Sequence, residues 1–162
     1  MTAGNMKGAK RLGEARYLKE HHFLFIERPY YEVADEILKW GWSSWWPEQG
    51  CVQYYVGKDA AVETGTSCEM VLKMGLLRVR LKGGIAQIKE KRMLQIDWRS
   101  GMMVGQEFVI VEERSNGTRI DHRARYKGSN FLMKIFWVVC FRRRYQAGIR
   151  QAMDALRTRM GQ

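Results

Sequence analysis

The sequence predicts an α+β protein in which one antiparallel sheet is covered by a long C-terminal helix. Three observations carry this. Residues 51–126 alternate apolar and polar side chains with period two and are interrupted by glycines. Residues 131–159 switch to a helical period. Ahead of both, a single strand runs into Pro29 and a short apolar helix.

In chain order, residues 1–16 contain Gly4, Gly8 and Gly13 and little apolar content, so they read as a lead-in to one domain spanning 17–162. Residues 21–28 form the first strand, and Pro29 ends its ladder and can open a helix. Tyr30, Val33, Ile37 and Trp40 recur at helical spacing, with Gly41 placed to stop them. Residues 43–48 read as a second short helix or turn. Trp40, Trp42, Trp45 and Trp46 put four of the six tryptophans into this one connection. Indoles bury large apolar area yet need a partner for the N–H, so the cluster marks a core closure or a cavity wall.

The alternating part divides into 51–56, 67–73, 77–82, 85–89, 92–98, 106–113 and 118–126, with breaks at Gly57, Gly65, Gly75, Gly83-Gly84, Ser100-Gly101 and Ser115-Asn116-Gly117. Asn-Gly between two such runs is a strong hairpin signal. The expected sheet has about six to seven strands in all. Ser129-Asn130 then offers an N-cap. Phe131, Ile135, Val138, Val139, Tyr145, Ile149, Met153 and Leu156 form the stripe of one long helix, which has an apolar sheet face to cover.

At 162 residues the chain can bury a core without disulfides or metals. Cys51, Cys68 and Cys140 lie far apart with no Cys-x-x-Cys, which suits reduced thiols in a cytoplasmic protein and gives no ligand set for a metal. The longest apolar stretch, 131–141, is interrupted by Lys134 and is about half the length a membrane span needs. Nucleophile-elbow, phosphate-loop and zinc-protease motifs are absent, and nothing calls for a cofactor. The net charge is +11, of which +9 falls from Arg119 onward. Such a basic end suits an anionic membrane, nucleic acid or an acidic ligand, or only a solvated helix face.

Several features in order resemble the START-like, helix-grip (SRPBCC) superfamily: Arg28-Pro29 before the Val33 helix, Trp45-Trp46-Pro47-Glu48 after it, Ser100-Gly101-Met102-Met103-Val104-Gly105 opening a late strand, Asn116-Gly117-Thr118-Arg119-Ile120 entering the last strand, and the basic C-terminal helix. The chain looks like the bacterial branch of polyketide cyclases/dehydrases and lipid-transport proteins. The resemblance covers about Phe23 to Arg159. It implies a helix-grip fold, a curved sheet wrapped around the long helix, with two short helices after the first strand and an interior cavity for a hydrophobic or amphipathic small molecule. It implies no single reaction, because the family has no universal catalytic motif.

Period-two strands nominate the cavity lining. In the last strand Ile120, His122, Ala124 and Tyr126 share the inward face, while Arg119, Asp121, Arg123 and Arg125 face water. Phe108 and Ile110 are expected inward from the strand before it, and Leu94, Ile96 and Trp98 from the one before that. Cys68, Met70, Leu72 and Met74 form a further inward row, Ile135 and Val139 face it from the helix, and Trp42, Trp45 and Trp46 close it. His122 and Tyr126 are the candidate acid–base or orienting groups. Arg142, of the Arg142-Arg143-Arg144 run, is the candidate for a ligand carboxylate or a buried acidic partner.

Three functions are expected in that order. The first is binding or transport of a lipid- or polyketide-like molecule, and the second is a cyclase/dehydratase acting through His122, Tyr126 and Arg142. The third is contact of the basic C-terminal helix with an anionic membrane or nucleic acid, with nucleic acid disfavoured because the aromatics are committed inward.

Overall fold

The computed structural model describes residues 17–57 and 62–161, so the expected lead-in over 1–16 lies outside the described residues. β1 (Leu18–Ile26) ends just before Pro29, which occupies the N-cap position of α1 (Tyr30–Ile37) with φ −56° and ψ 146°. α1 buries Val33, Ala34 and Ile37. It stops before Trp40, and the chain continues in single turns, with Trp40 N–H donating to the Ile37 carbonyl at 2.9 Å and Trp42 N–H to Lys39 at 3.1 Å. The second short helix expected over 43–48 is likewise a run of turns, closed by Trp46 N–H to the Ser43 carbonyl and Gly50 N–H to the Pro47 carbonyl. Proline disfavours the helical region for the residue before it, here Trp46, so a helix cannot run through this segment. Gly41 takes φ +83° because the Tyr54 ring packs where a Cβ would stand.

Six further strands follow: β2 (Val52–Val56), β3 (Ser67–Met74), β4 (Leu77–Lys89), β5 (Met93–Gly101), β6 (Met103–Arg114) and β7 (Gly117–Gly128). All pairings are antiparallel, in the order β1-β7-β6-β5-β4-β3-β2. The strands expected at 77–82 and 85–89 are one. β4 runs through Gly83-Gly84 with a register shift at Lys82/Gly83, and a Cβ at Gly83 would collide with the Asp97 carbonyl of β5. The glycine pair is a bulge at a close approach, not a turn.

Asn130 caps the C-terminal helical region, its Oδ1 accepting the Met133 N–H at 2.9 Å. α2 (Phe131–Phe136) leads through one π-helical turn (Trp137–Phe141) into α3 (Arg142–Arg159). In α3 the expected stripe of Tyr145, Ile149, Met153 and Leu156 is buried. Ahead of α3 the phase differs. Trp137 and Phe141 are fully buried, whereas Phe131 (74% exposed), Ile135 (45%) and Val139 (74%) face outward. A π turn accommodates an extra residue, so a stripe counted at 3.6 residues per turn through 131–156 cannot stay on one face.

α3 contacts both β1 and β2, the two edges of the sheet. A flat sheet of this width could not meet one helix at both edges, so the sheet curls around it. This is the helix-grip fold, with the core between the concave sheet face and the helix.

Candidate functional site

The concave face converges on one carboxylate. Glu107 of β6 has no exposed surface. Its Oε1 accepts from Tyr54 OH at 2.6 Å, His122 Nε2 at 2.7 Å and Trp40 Nε1 at 3.3 Å. Its Oε2 accepts from Trp98 Nε1 at 3.1 Å and Tyr126 OH at 3.5 Å. Tyr145 of α3 completes the cluster, 3.0 Å from the Tyr126 hydroxyl and 3.4 Å from His122 Nε2. Burial alone would push the Glu107 carboxyl upward. The His122 hydrogen bond and charge, with the Tyr54 and Trp98 donors, outweigh it and hold the carboxyl below its ordinary range. An ionised carboxylate only accepts, so His122 Nε2 carries the hydrogen between them. Burial, then the Glu107 charge, pushes the hydroxyls of Tyr54, Tyr126 and Tyr145 well above the ordinary tyrosine range and keeps them donors.

Each ligand of this carboxylate is placed by the fold rather than by its neighbours in sequence. Trp40 arrives from the turns after α1, Tyr54 from β2, Trp98 from β5, and His122 and Tyr126 from β7. The Trp40 indole stacks on the His122 ring at 5.3 Å and 18°, and Trp45 and Trp46 meet Trp40 edge-on at 6.2 and 5.1 Å. The tryptophan cluster therefore packs over the polar centre.

Several buried polar atoms here have no partner among the described residues: His122 Nδ1, His22 Nε2, Ser43 Oγ and the indole nitrogens of Trp42, Trp45 and Trp137. His22 of β1 lies directly opposite His122 in the strand pairing, with the rings 5.6 Å apart. Burial first, then the neighbouring His122 charge, lowers the His22 imidazole from 6.5 to about 4. The folded state thus binds fewer protons at His22 than the unfolded chain between about pH 4 and 6.5, so stability rises with pH across that window. Urea unfolding at successive pH values is expected to show this slope, and His22→Gln to flatten it. An unchanged slope in the variant would remove His22 as its source.

The structure places the expected lining residues unevenly. Met70, Leu72, Leu94, Ile96, Trp98, His122, Tyr126, Trp45 and Trp46 are buried on the concave side. Trp42 and Met74 are half-buried against it. Phe108 and Ile110 are not: they lie on the convex face, flooring a concavity of about 520 Å³ bordered by Lys19, His21, Arg123 and Arg125. Glu107, Val109 and Val111 take the inward positions. Ile135 of α2 and Val139 of the π turn also face outward, out of phase with the buried stripe of α3. Asp121 shares the convex face as expected but is only 1% exposed, bound by His21 and Arg119, each at 3.1 Å, and by Arg123 at 3.4 Å. Arg142 Nε meets the buried Glu20 carboxylate at 2.6 Å, and Gln146 takes its other oxygen at 2.6 Å. Arg142 has found an acidic partner of its own chain.

Sequence reasoning missed Glu107, Tyr54, Tyr145 and His22. For Glu107 a signal was present. Strands 106–113 and 118–126, joined across Ser115-Asn116-Gly117, pair Glu113 with Thr118 and hence Val109 with His122 and Glu107 with Ala124. Directly opposed residues share a face, so an inward His122 requires an inward Glu107 and an outward Phe108. For the free thiols, burial and the Glu107 charge push Cys68 up to about 12, which makes it inert as a nucleophile.

No protein-family model matches the sequence, and no curated protein matches it. Solved structures do. Ginseng major latex-like protein 151 from Panax ginseng superimposes with a TM-score of 0.65 at 11% identity, covering 91% of this chain and 99% of that one. The KanY protein gives 0.66 at 12% identity, with coverages of 90% and 98%. A protein from Thermus thermophilus gives 0.63 at 15% identity, with 88% and 97%. At these identities the likeness is one of fold, and it agrees with the helix-grip arrangement over nearly the whole of each chain. No described helix is long and apolar enough to cross a membrane.

Proposed function

We propose that the chain binds a hydrophobic or amphipathic small molecule, lipid- or polyketide-like, between the sheet and the C-terminal helix, with the ligand's polar end between His22 and His122. The observation that carries this is a pair of buried imidazole nitrogens without a partner among the described residues, His22 Nε2 and His122 Nδ1, on rings 5.6 Å apart. A buried polar atom without a partner costs about 1–3 kcal/mol, so two on opposed strands mark a place built for a third group. A ligand hydroxyl or carbonyl there would meet a His122 whose other nitrogen Glu107 already fixes.

The interior is filled in this closed form by Trp40, Trp98, Trp137, Tyr126, Tyr145 and Phe141. Binding therefore requires side chains to yield, and the tryptophan turns and the π turn are the segments without a regular helical or strand hydrogen-bond pattern around the site. Native mass spectrometry of the purified protein, followed by organic extraction, tests the reading. A copurified apolar molecule whose occupancy falls in His122→Gln is the expected result. Protein that carries nothing and shows no thermal shift with fatty acids or aromatic polyketides would overturn it.

One observation favours a cyclase/dehydratase as a second reading. Glu107 and His122 at 2.7 Å, with Tyr145 at 3.4 Å, form an acid–base arrangement in which the His122 imidazolium, held by Glu107, could give its Nδ1 proton to a ligand oxygen. Conversion of the copurified molecule that disappears in His122→Gln while binding persists would support this reading over simple carriage.

A further inference from the structure

The polar centre does not account for the most exposed apolar surface of the molecule. Phe131, Leu132, Ile135 and Val139 are 74%, 70%, 45% and 74% exposed on the first turns of the C-terminal helical region, and Leu76 and Leu77 are 105% and 48% exposed at the tip of the β3–β4 hairpin. These two segments are far apart in sequence and share one end of the sheet. Leu81 pairs with Gly101, where β5 ends, so the hairpin tip projects beyond that point. Met103, where β6 begins, pairs with Gly128, and Ser129 N–H donates to the Met102 carbonyl just ahead of α2. A folded domain seldom leaves so much large apolar side chain on one end without a partner.

Charge says what that partner is. From Lys127 to Arg144 the sequence carries five Lys or Arg and no carboxylate, and from Lys73 to Lys82 it carries four and none. Both apolar segments are thus embedded in purely cationic stretches. Lys127, Arg78 and Arg143 are exposed and engaged in no ion pair among the described residues. Apolar side chains flanked by cations, with no acidic residue among them, match the interface of an anionic bilayer, where the apolar groups enter the acyl boundary and the cations meet lipid phosphates.

We infer that this end of the molecule, the β3–β4 tip together with the first turns of the C-terminal helical region, docks on anionic lipid bilayers. The surface takes Arg143 from the first turn of α3 and not the arginines already paired: Arg142 is bound to Glu20, and Arg157 lies 3.9 Å from Asp154. It is independent of what the interior holds, so docking stands or falls apart from the ligand-binding reading.

The test is cosedimentation of the full chain with large vesicles of phosphatidylcholine alone and with about 30% phosphatidylglycerol added. Binding is expected to the anionic vesicles and to weaken steeply with salt. Leu132→Ser with Val139→Ser should lower the partition coefficient roughly 10- to 100-fold, as loss of two inserted side chains requires. Arg78→Glu with Arg143→Glu should lower it at least about tenfold. All four side chains are exposed, so an unchanged urea midpoint certifies the variants, and copurified ligand in native mass spectra should be unaffected. Absence of binding to the anionic vesicles, or binding indifferent to both double variants, overturns the proposal. So does a concentration-dependent dimer in sedimentation velocity that Leu132→Ser with Val139→Ser abolishes, because the face would then belong to a second copy of the chain.

Discussion

Replacing Glu107 with alanine is expected to destabilise the fold by about 3–5 kcal/mol, a large share of the roughly 5–15 kcal/mol that holds a domain together. The cost arises from the groups left behind. Tyr54, Trp40, Trp98, Tyr126 and His122 all aim donors at this carboxylate, and all five are buried. Glu107→Gln keeps the volume and one acceptor oxygen but turns an amide N–H toward other donors, so about 1–3 kcal/mol is expected there. Urea titration of both variants measures the two effects. A Glu107→Ala loss under about 1 kcal/mol would mean that the aromatic shell, not the carboxylate, organises the centre.

The same group gives the fold an acid limit. Because its folded-state pKa is depressed, the Glu107 contribution is fully present above the ordinary carboxylate pKa and is lost as pH falls through the lower, folded value. Asp121 acts in the same sense on the convex face: burial works against its charge, but His21 and the Arg119 and Arg123 guanidiniums prevail. The Glu107 window runs downward from the ordinary carboxylate pKa and that of His22 runs upward from about 4 to 6.5, so Glu107→Gln should flatten chiefly the acid end of the pH–stability curve and His22→Gln chiefly the part above it.

How much of this was legible from the residues depends on which force places each group. Pro29 and Asn130 act through their own backbone geometry and side-chain reach, so they set the starts of α1 and α2 where local reading puts them. β7 alternates cleanly, and its inward row of Ile120, His122, Ala124 and Tyr126 follows from period two alone. β6 is different, because Phe108 to Val111 are all apolar and either phase buries two of them. Placing the charged Glu107 outward is the natural choice until its five donors are known, and those come from elements as distant as residues 40 and 126. Only pairing across the β6–β7 hairpin breaks the tie. The outward turn of Ile135 and Val139 was illegible for another reason. A π turn leaves no residue signature, and its phase change is chosen by tertiary packing of Trp137 and Phe141.

Fold and candidate site are consequently the same object. A helix-grip protein of purely apolar interior would need only shape complementarity between sheet and helix. Here Tyr54 of edge strand β2, Trp98 of central strand β5 and Trp40 of the turns after α1 all donate to one carboxylate, and Tyr145 ties the helix to the same centre through Tyr126 and His122. Any ligand that displaces Tyr54, Trp98 or Trp40 must supply a donor or leave Glu107 underserved. That requirement favours an amphipathic ligand bearing a hydroxyl over a pure hydrocarbon.

Trp40→Ala should therefore have the second large effect, about 3–5 kcal/mol, and it should be repairable from outside. Trp40 is fully buried, covers the His122 ring, and is met edge-on by Trp45 and Trp46, so its removal leaves an indole-shaped void bordered by aromatics with one polar end at Glu107. Trp40→Phe fills most of that void and loses chiefly the N–H bond to Glu107 at 3.3 Å, for which about 1 kcal/mol is expected. Added indole should raise the thermal midpoint of Trp40→Ala and not of Trp40→Phe, since a preformed void with a waiting acceptor binds the missing group. Combining Trp40→Ala with Glu107→Gln should cost less than the sum of the two, because both act on one network, with a coupling of about 0.5–3 kcal/mol. Strict additivity, with no response to indole, would mean that the lid collapses onto the sheet when Trp40 is lost. A collapsible lid would leave no room beside His122 even when side chains yield, and the ligand-binding reading would then rest on the rest of the interior alone.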